Sequence, residues 1–70
     1  MAIKMTLRPC TGTTEQVKAM VTSIKQDRSF TIIEETNEKV IVKLYNMEVY
    51  KASNKGNDMW DIQYAASLFT

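Results

Sequence analysis

The side chains that most often carry catalysis are scarce in this chain of 70 residues. There is no histidine, which removes the commonest general base and the commonest neutral nitrogen ligand for metals. The single cysteine, Cys10, can therefore form neither a Cys–His nucleophile nor a disulfide within one chain. A zinc site would need one thiolate and carboxylates alone. We interpret Cys10 as a packing or loop residue and predict neither a metal nor a cofactor.

The carboxylates have a spacing that argues against acid–base catalysis. Glu34 and Glu35 are adjacent in a segment predicted to be a strand, so they should point to opposite faces and cannot act jointly. Asp58 and Asp61 flank a tryptophan, and the two glycines are too far apart to build a phosphate-binding loop motif. We interpret these acids as solvated charges that protect strand edges. The prediction is a protein that is not an enzyme and has no small-molecule substrate.

Composition and length predict one globular domain covering residues 1–70. Hydrophobic residues make up 44% of the chain, charged residues make up 24%, and the net charge is +1. These values are ordinary for a soluble domain and show no global preference for nucleic acid or membrane. No segment approaches the ~20 apolar residues that span a bilayer, and "MAIKMTLRPC" lacks the apolar run of a signal peptide. We predict a cytoplasmic protein without a membrane partner.

The segment "TTEQVKAMVTSIKQD", residues 13–27, can form a helix or a strand. As a helix it places four apolar side chains on one stripe, at i, i+3, i+4 and i+7: Val17, Met20, Val21 and Ile24. Thr13 and Gln16 have the spacing of a capping box. As a strand, the same apolar residues divide between two faces that would both need burial. We therefore predict a helix, with the strand as the alternative.

The other regular segments alternate apolar and polar residues, as strands do. They are "AIKMTLR", "SFTIIEE", "KVIVKLY" and "MWDIQYAASLF". "PCTG" should end the first strand, "TNEK" should be the turn of a hairpin, and "SNKGN" should be a loop. The alternation slips at Asn46 and resumes at Met47, which predicts a bulge or a bend within the third strand.

These elements predict an α+β fold, with a single helix packed on one face of a small, mainly antiparallel four-stranded sheet in the order β-α-β-β-β. The alternative is a small all-β barrel of the SH3 or OB type. The predicted core face of the sheet has eleven members: Ile3, Met5, Leu7, Phe30, Ile32, Val40, Val42, Leu44, Trp60, Ile62 and Tyr64.

The barrel alternative has a counterpart in one family. "VTSIKQDRSFTI" followed by "EKVIVKLYNMEVYK" resembles the first barrel strands of thermonuclease-type OB folds, over about half of the chain. Where that family has an acidic D-G-D turn, this chain has Gln26–Arg28, and the family's arginine, aspartate and final glutamate are replaced by Lys43, Glu48 and Lys51. The resemblance implies a barrel, and the replacements imply the loss of the calcium ligands and of the phosphate contacts.

The face of the predicted sheet that the helix leaves open should carry a mixture of charged and apolar side chains. Its expected members are Lys4, Thr6, Arg8, Thr31, Ile33, Glu35, Ile41, Lys43, Tyr45, Asp61 and Gln63. Several large apolar side chains on one open face indicate a contact surface. We predict a partner-binding site made of Ile33, Ile41, Lys43, Tyr45 and Tyr50, acting through this face or an open strand edge. The alternative is that these residues are core in a barrel or in a dimer formed for stability.

Two kinds of partner are compatible with this pattern. The first is another protein or a second copy of the chain, as in the small inhibitors, accessory proteins and assembly proteins of mobile genetic elements, which this chain resembles in size and in its lack of catalytic groups. The second is a single-stranded nucleic acid, with Tyr45 stacking on a base and Lys4, Arg8 and Lys43 neutralising phosphates. Only the second should weaken steeply with added salt.

Overall fold

A computed structural model describes residues 6–69 of the chain. Its elements, in chain order, are β1 (Leu7–Thr13), α1 (Thr14–Lys25), β2 (Phe30–Glu35), β3 (Lys39–Leu44), β4 (Met47–Gly56), β5 (Met59–Ala65) and α2 (Ala66–Phe69). The predicted α+β class is confirmed, because one antiparallel sheet is accompanied by a short helix. The predicted number of four strands is wrong, since residues 6–69 alone form a sheet of five strands. The helical turn α2 was not predicted.

The helix α1 forms where the apolar stripe and the capping residues predicted it. The backbone N–H of Gln16 donates to Thr13 Oγ1 at 3.2 Å, and the N–H of Thr13 donates to Gln16 Oε1 at 2.9 Å. This capping box satisfies two backbone donors that would otherwise lack a partner at the helix start. The side chains of Val17, Val21 and Ile24 are buried, so the stripe faces the protein interior. The prediction of a helix over a strand is confirmed.

The strands follow the order β1-β5-β4-β3-β2, and every neighbouring pair is antiparallel. Strands β2 to β5 form a meander, and β1 adds to it beside β5. The helix α1 carries the chain from one edge of the sheet to the other and contacts β1, β2 and β5. Since β1 and β2 lie at opposite edges and do not pair, the sheet is not a closed barrel. The barrel alternative, which the resemblance to OB folds implied, is therefore wrong.

The extra strand arises from a turn that was interpreted as a bulge. Tyr45 and Asn46 form a two-residue turn between β3 and β4, and Tyr45 has a φ of +57°. A hairpin turn of this kind normally carries glycine or asparagine at a position of positive φ. The predicted loop "SNKGN" is also wrong, because β4 extends to Gly56 and the turn is formed by Asn57 and Asp58, both at positive φ.

The strand β1 differs from its prediction in position. It runs through "PCTG", which was expected to end the strand. Pro9 is compatible with β1 because this is an edge strand, where the missing N–H can face away from the neighbouring strand. The predicted strand residues Ile3, Lys4 and Met5 lie outside the described residues.

The core lies between α1 and one face of the sheet. Its least exposed large side chains are Val42, Val49 and Tyr50, at 0%, 0% and 2%. Val49 and Tyr50 are consecutive, and both can be buried because a register shift leaves Val49 without a residue opposite it in β3. Such a bulge breaks the alternation of faces along a strand. The bulge therefore adds a large aromatic side chain to the core.

Candidate interaction face of the sheet

The two faces of the sheet can be told apart by a hydrogen bond from β5 to the helix. Trp60 Nε1 donates to the Oγ1 of Thr14, the first residue of α1, at 2.8 Å. Trp60 therefore lies on the side of the helix, which we call the helix face. Because side chains alternate along β5, Ile62 and Tyr64 share that face, whereas Asp61 and Gln63 point to the other side, which we call the reverse face.

The strand register extends this assignment across the whole sheet. Residues directly opposite each other in antiparallel strands share a face. The row that contains Gln63 crosses all the strands in the order Pro9, Gln63, Lys51, Ile41 and Glu34. This row is the middle of the reverse face. Its large apolar side chain is Ile41, which has a lysine on one side and a glutamate on the other.

A bulge in β2 adds a second apolar side chain next to this row. Ile32 is opposite Val42 and Glu34 is opposite Ile41, so Ile33 is an inserted residue without a partner in β3. Glu35 is on the helix face, since its carboxylate lies 3.0 Å from Nζ of Lys25 in α1. Ile33 is 55% exposed. Ile33 and the half-buried Ile41 together form what we call the isoleucine pair.

Three lysines, Lys39, Lys43 and Lys51, neighbour the isoleucine pair on the reverse face, whereas Lys55 lies near the end of β4, four residues beyond Lys51. Lys51 lies 3.4 Å from Glu48, and Lys55 lies 3.8 Å from Asp61. Lys39 and Lys43 precede and follow Ile41 by two residues in β3. Within residues 6–69, neither has a carboxylate oxygen within 4.0 Å. These two lysines therefore form no ion pair within residues 6–69, although Glu48 is directly opposite Lys43 in the strand register.

Two of the predicted partner-binding residues do not belong with the isoleucine pair. Tyr45 is 82% exposed, but it lies at the β3–β4 turn, about 13 Å along the strand from Ile41 at ~3.3 Å per residue. Tyr50 is 2% exposed, so its predicted role in the binding surface is wrong. Burial raises the pKa of Tyr50 to about 12, with a smaller contribution from the negative charge of the Cys10 thiolate. The remaining three, Ile33, Ile41 and Lys43, lie together on the reverse face.

The residues predicted for nucleic-acid binding are not brought together. Arg8 is opposite Tyr64 and therefore on the helix face, whereas Lys43 is on the reverse face. Lys4 lies outside the described residues. The predicted face of Glu35 is also wrong, because Glu35 points towards α1. Leu7, which was predicted to belong to the core, is partly buried and packs against it.

The two strand edges have features that oppose pairing with another chain. At one edge, Pro9 in β1 cannot donate a backbone hydrogen bond. At the other, the inserted Ile33 interrupts the regular spacing of β2. Prolines and bulges are devices by which edge strands avoid unwanted pairing. Of the two predicted modes of binding, the sheet face is therefore better suited than the strand edge.

Sequence patterns did not predict two concave sites on the helix side. A cleft of about 540 Å³ lies between the start of α1 and the β2–β3 turn, with Lys18, Glu35 and Trp60 among its lining residues. A smaller groove of about 210 Å³ lies beside Cys10 and is mostly apolar. Both depend on how α1 crosses the sheet, which no local pattern specifies. No cluster of potential metal ligands occurs within the described part of the chain.

No helix among residues 6–69 combines the length and apolar character needed to cross a membrane. Comparisons of the chain with protein-family models, with curated proteins and with solved structures found no match.

Proposed function

We propose that this chain is a small, non-enzymatic protein-binding module that docks its partner on the reverse face of the sheet. A module of this kind would act as an inhibitor, an accessory subunit or an assembly protein, of the sort that mobile genetic elements carry. The observation that carries the proposal is the isoleucine pair, because Ile33 is 55% exposed beside Ile41 on a face that α1 does not cover.

Ile33 is exposed because of the bulge in β2, and this favours a role for Ile33 in binding a partner. Ile32 and Glu35 are both on the helix face, and regular alternation allows only one residue between two such positions. The bulge places two residues there, Ile33 and Glu34, and so adds Ile33 to the strand. Fully burying an isoleucine side chain contributes about 1.5–3 kcal/mol, so leaving one in solvent forgoes that stabilisation. A small domain has little stability to spare. A partner that covers the isoleucine pair would recover this contribution on binding.

The test is a comparison of matched variants in binding. In one variant Ile33→Thr and Ile41→Thr are combined, because threonine keeps the β-branch that strands favour and adds a hydroxyl group. In the control, Met59→Thr removes another exposed apolar side chain, 45% exposed, at the far end of the sheet. Tagged wild type and both variants are used to capture partners from the native host, and folding is checked by circular dichroism.

The proposal expects a partner that is retained by the wild type and by Met59→Thr but lost by the double variant. Loss of folding in the double variant would show that the isoleucine pair belongs to the core, which would overturn the proposal. Equal retention by all three proteins would place the contact elsewhere. Retention of nucleic acid that declines steeply with salt would favour the alternative of single-strand binding.

A further inference from the structure

We infer that the partner presents an apolar side chain between two carboxylates, as part of an acidic protein segment. This inference rests on the proposed function and specifies the chemistry of its partner. Lys39, Ile41 and Lys43 occupy alternate positions of β3, and all three are on the reverse face. The isoleucine can receive an apolar side chain while the two lysines receive one carboxylate each.

The spacing of these residues matches an extended partner segment. Alternate residues of a strand are about 7 Å apart, so the two lysine positions are separated by about 13 Å. A segment in which acids occupy positions i and i+4 and an apolar residue occupies i+2 repeats the same distances. Lys39 and Lys43 have no acid within 4.0 Å among residues 6–69, so a partner would not have to displace an internal ion pair at either position.

A second copy of the chain is a poorer occupant of this surface. A two-fold axis through Ile41 would bring Lys39 and Lys43 of one copy against the same lysines of the other, and like charges repel. A single-stranded nucleic acid is disfavoured as well, because the aromatic residues of β4 and β5 lie on the helix face and leave no stacking platform in the middle row.

The experiment uses defined peptides titrated into the isotope-labelled protein and followed by backbone amide NMR shifts. The probe is an end-capped peptide with three repeats of Asp-Ser-Leu-Ser followed by Asp. One control peptide replaces each aspartate by lysine, and another replaces each leucine by serine. An oligothymidylate serves as a polyanion without apolar side chains. The inference expects the acidic apolar peptide to bind most tightly, with the largest shifts around Lys39–Lys43 and Ile33.

Two double variants of the protein distinguish binding through Lys39 and Lys43 from a general effect of the protein's net charge. Lys39→Gln combined with Lys43→Gln should weaken binding of the probe about five- to tenfold, since exposed ion pairs are individually weak. Lys18→Gln combined with Lys55→Gln removes the same total charge and should leave the affinity within about twofold of the wild type. Lys18 is exposed on α1, and Lys55 is already paired with Asp61.

Several results would overturn the inference. They are equal binding of the lysine peptide, tighter binding of oligothymidylate, shifts confined to the cleft beside α1, and a dimer in light scattering that is dispersed by the Ile33→Thr/Ile41→Thr variant. If no peptide binds but that variant still loses the captured partner, the inferred chemistry is wrong and the proposed function stands. If neither effect occurs, both are wrong.

Discussion

The helix face and the reverse face are made by the same strands but consist of very different side chains. In β3 the residues on the helix face, Val40 and Val42, are 2% and 0% exposed. Their neighbours on the reverse face include Lys39 and Lys43, which are separated by the half-buried Ile41. Because side chains alternate along β3, those on one side pack in the core and stabilise the fold, whereas those on the other side are available to contact a partner. Substitutions one residue apart in β3 should therefore have effects of different kinds, on stability at one position and on binding at the next.

The largest expected contrast is between Trp60 and its neighbour Met59. Trp60 is 3% exposed and Met59 is 45% exposed. Trp60→Ala should cost about 3–5 kcal/mol of unfolding free energy, enough to unfold much of a domain this small. Met59→Ala should cost less than about 0.5 kcal/mol. Chemical denaturation followed by circular dichroism measures both. Similar losses in the two variants would contradict the assignment of faces.

A second prediction concerns the buried Tyr50 on the helix face, whose hydroxyl should make the free energy of unfolding fall at alkaline pH. The pKa of Tyr50 is raised from 10.0 to about 12, first by burial and second by the Cys10 thiolate. Since the folded protein holds this proton more tightly than the unfolded chain, the stabilisation is complete below pH 10 and is lost as the pH rises towards 12. The loss should reach at most about 2–3 kcal/mol.

Denaturation of the wild type and of Tyr50→Phe across this pH range isolates the contribution of Tyr50. All other groups are the same in both proteins, so their contributions cancel in the difference. The free-energy difference between the two proteins should narrow or reverse in favour of phenylalanine as the pH rises. A constant difference would show that the Tyr50 hydroxyl is accessible to water and that this part of the core is open.

A third prediction concerns the helix that makes the two faces unequal. Thr13→Ala removes the oxygen that accepts the N–H of Gln16 at 3.2 Å, and it should cost about 1 kcal/mol. Thr22→Ala is a suitable control, because Thr22 is exposed in the same helix and its hydroxyl donates only to the carbonyl of Lys18. Thermal denaturation should therefore separate the two variants by several degrees, with Thr13→Ala melting first.

The smallest expected effect is at the rim of the sheet. Tyr45 has a φ of +57°, a conformation that asparagine adopts more readily than other residues with side chains. Tyr45→Asn should therefore raise the unfolding free energy by less than about 1 kcal/mol, and binding at the isoleucine pair should remain. A loss of binding would show that the contact surface extends along β3 to the turn, as the sequence analysis predicted.

The parts of the fold that were predicted correctly are those with a strong local signal. The stripe of Val17, Val21 and Ile24 needs only helical periodicity, and the capping box needs only two residues at the right spacing. The same is true of the alternation in β3 and in β5. Local signals also placed Ile33 and Ile41 on the face that the helix leaves open.

The wrong predictions concern residues whose backbone conformation or facing is set by the surrounding fold and not by the local sequence. Tyr45 adopts a positive φ in a hairpin turn, so no glycine marked the boundary between β3 and β4. The inserted Val49 changes the facing of the strand, and Tyr50 is therefore buried although alternation from the preceding strand suggested a surface position. Pro9 is tolerated because β1 is at an edge, which depends on the order of the strands.

The most direct test of the difference between the faces is solvent paramagnetic relaxation measured on isoleucine methyl groups. A soluble, neutral gadolinium chelate broadens methyl signals in proportion to their access to solvent. We expect strong broadening of Ile33 and intermediate broadening of Ile41, with little effect on Ile24 and Ile62, which are 3% and 8% exposed. Protection of Ile33 and Ile41 to the level of Ile24 would mean that the reverse face is covered, and would contradict the account.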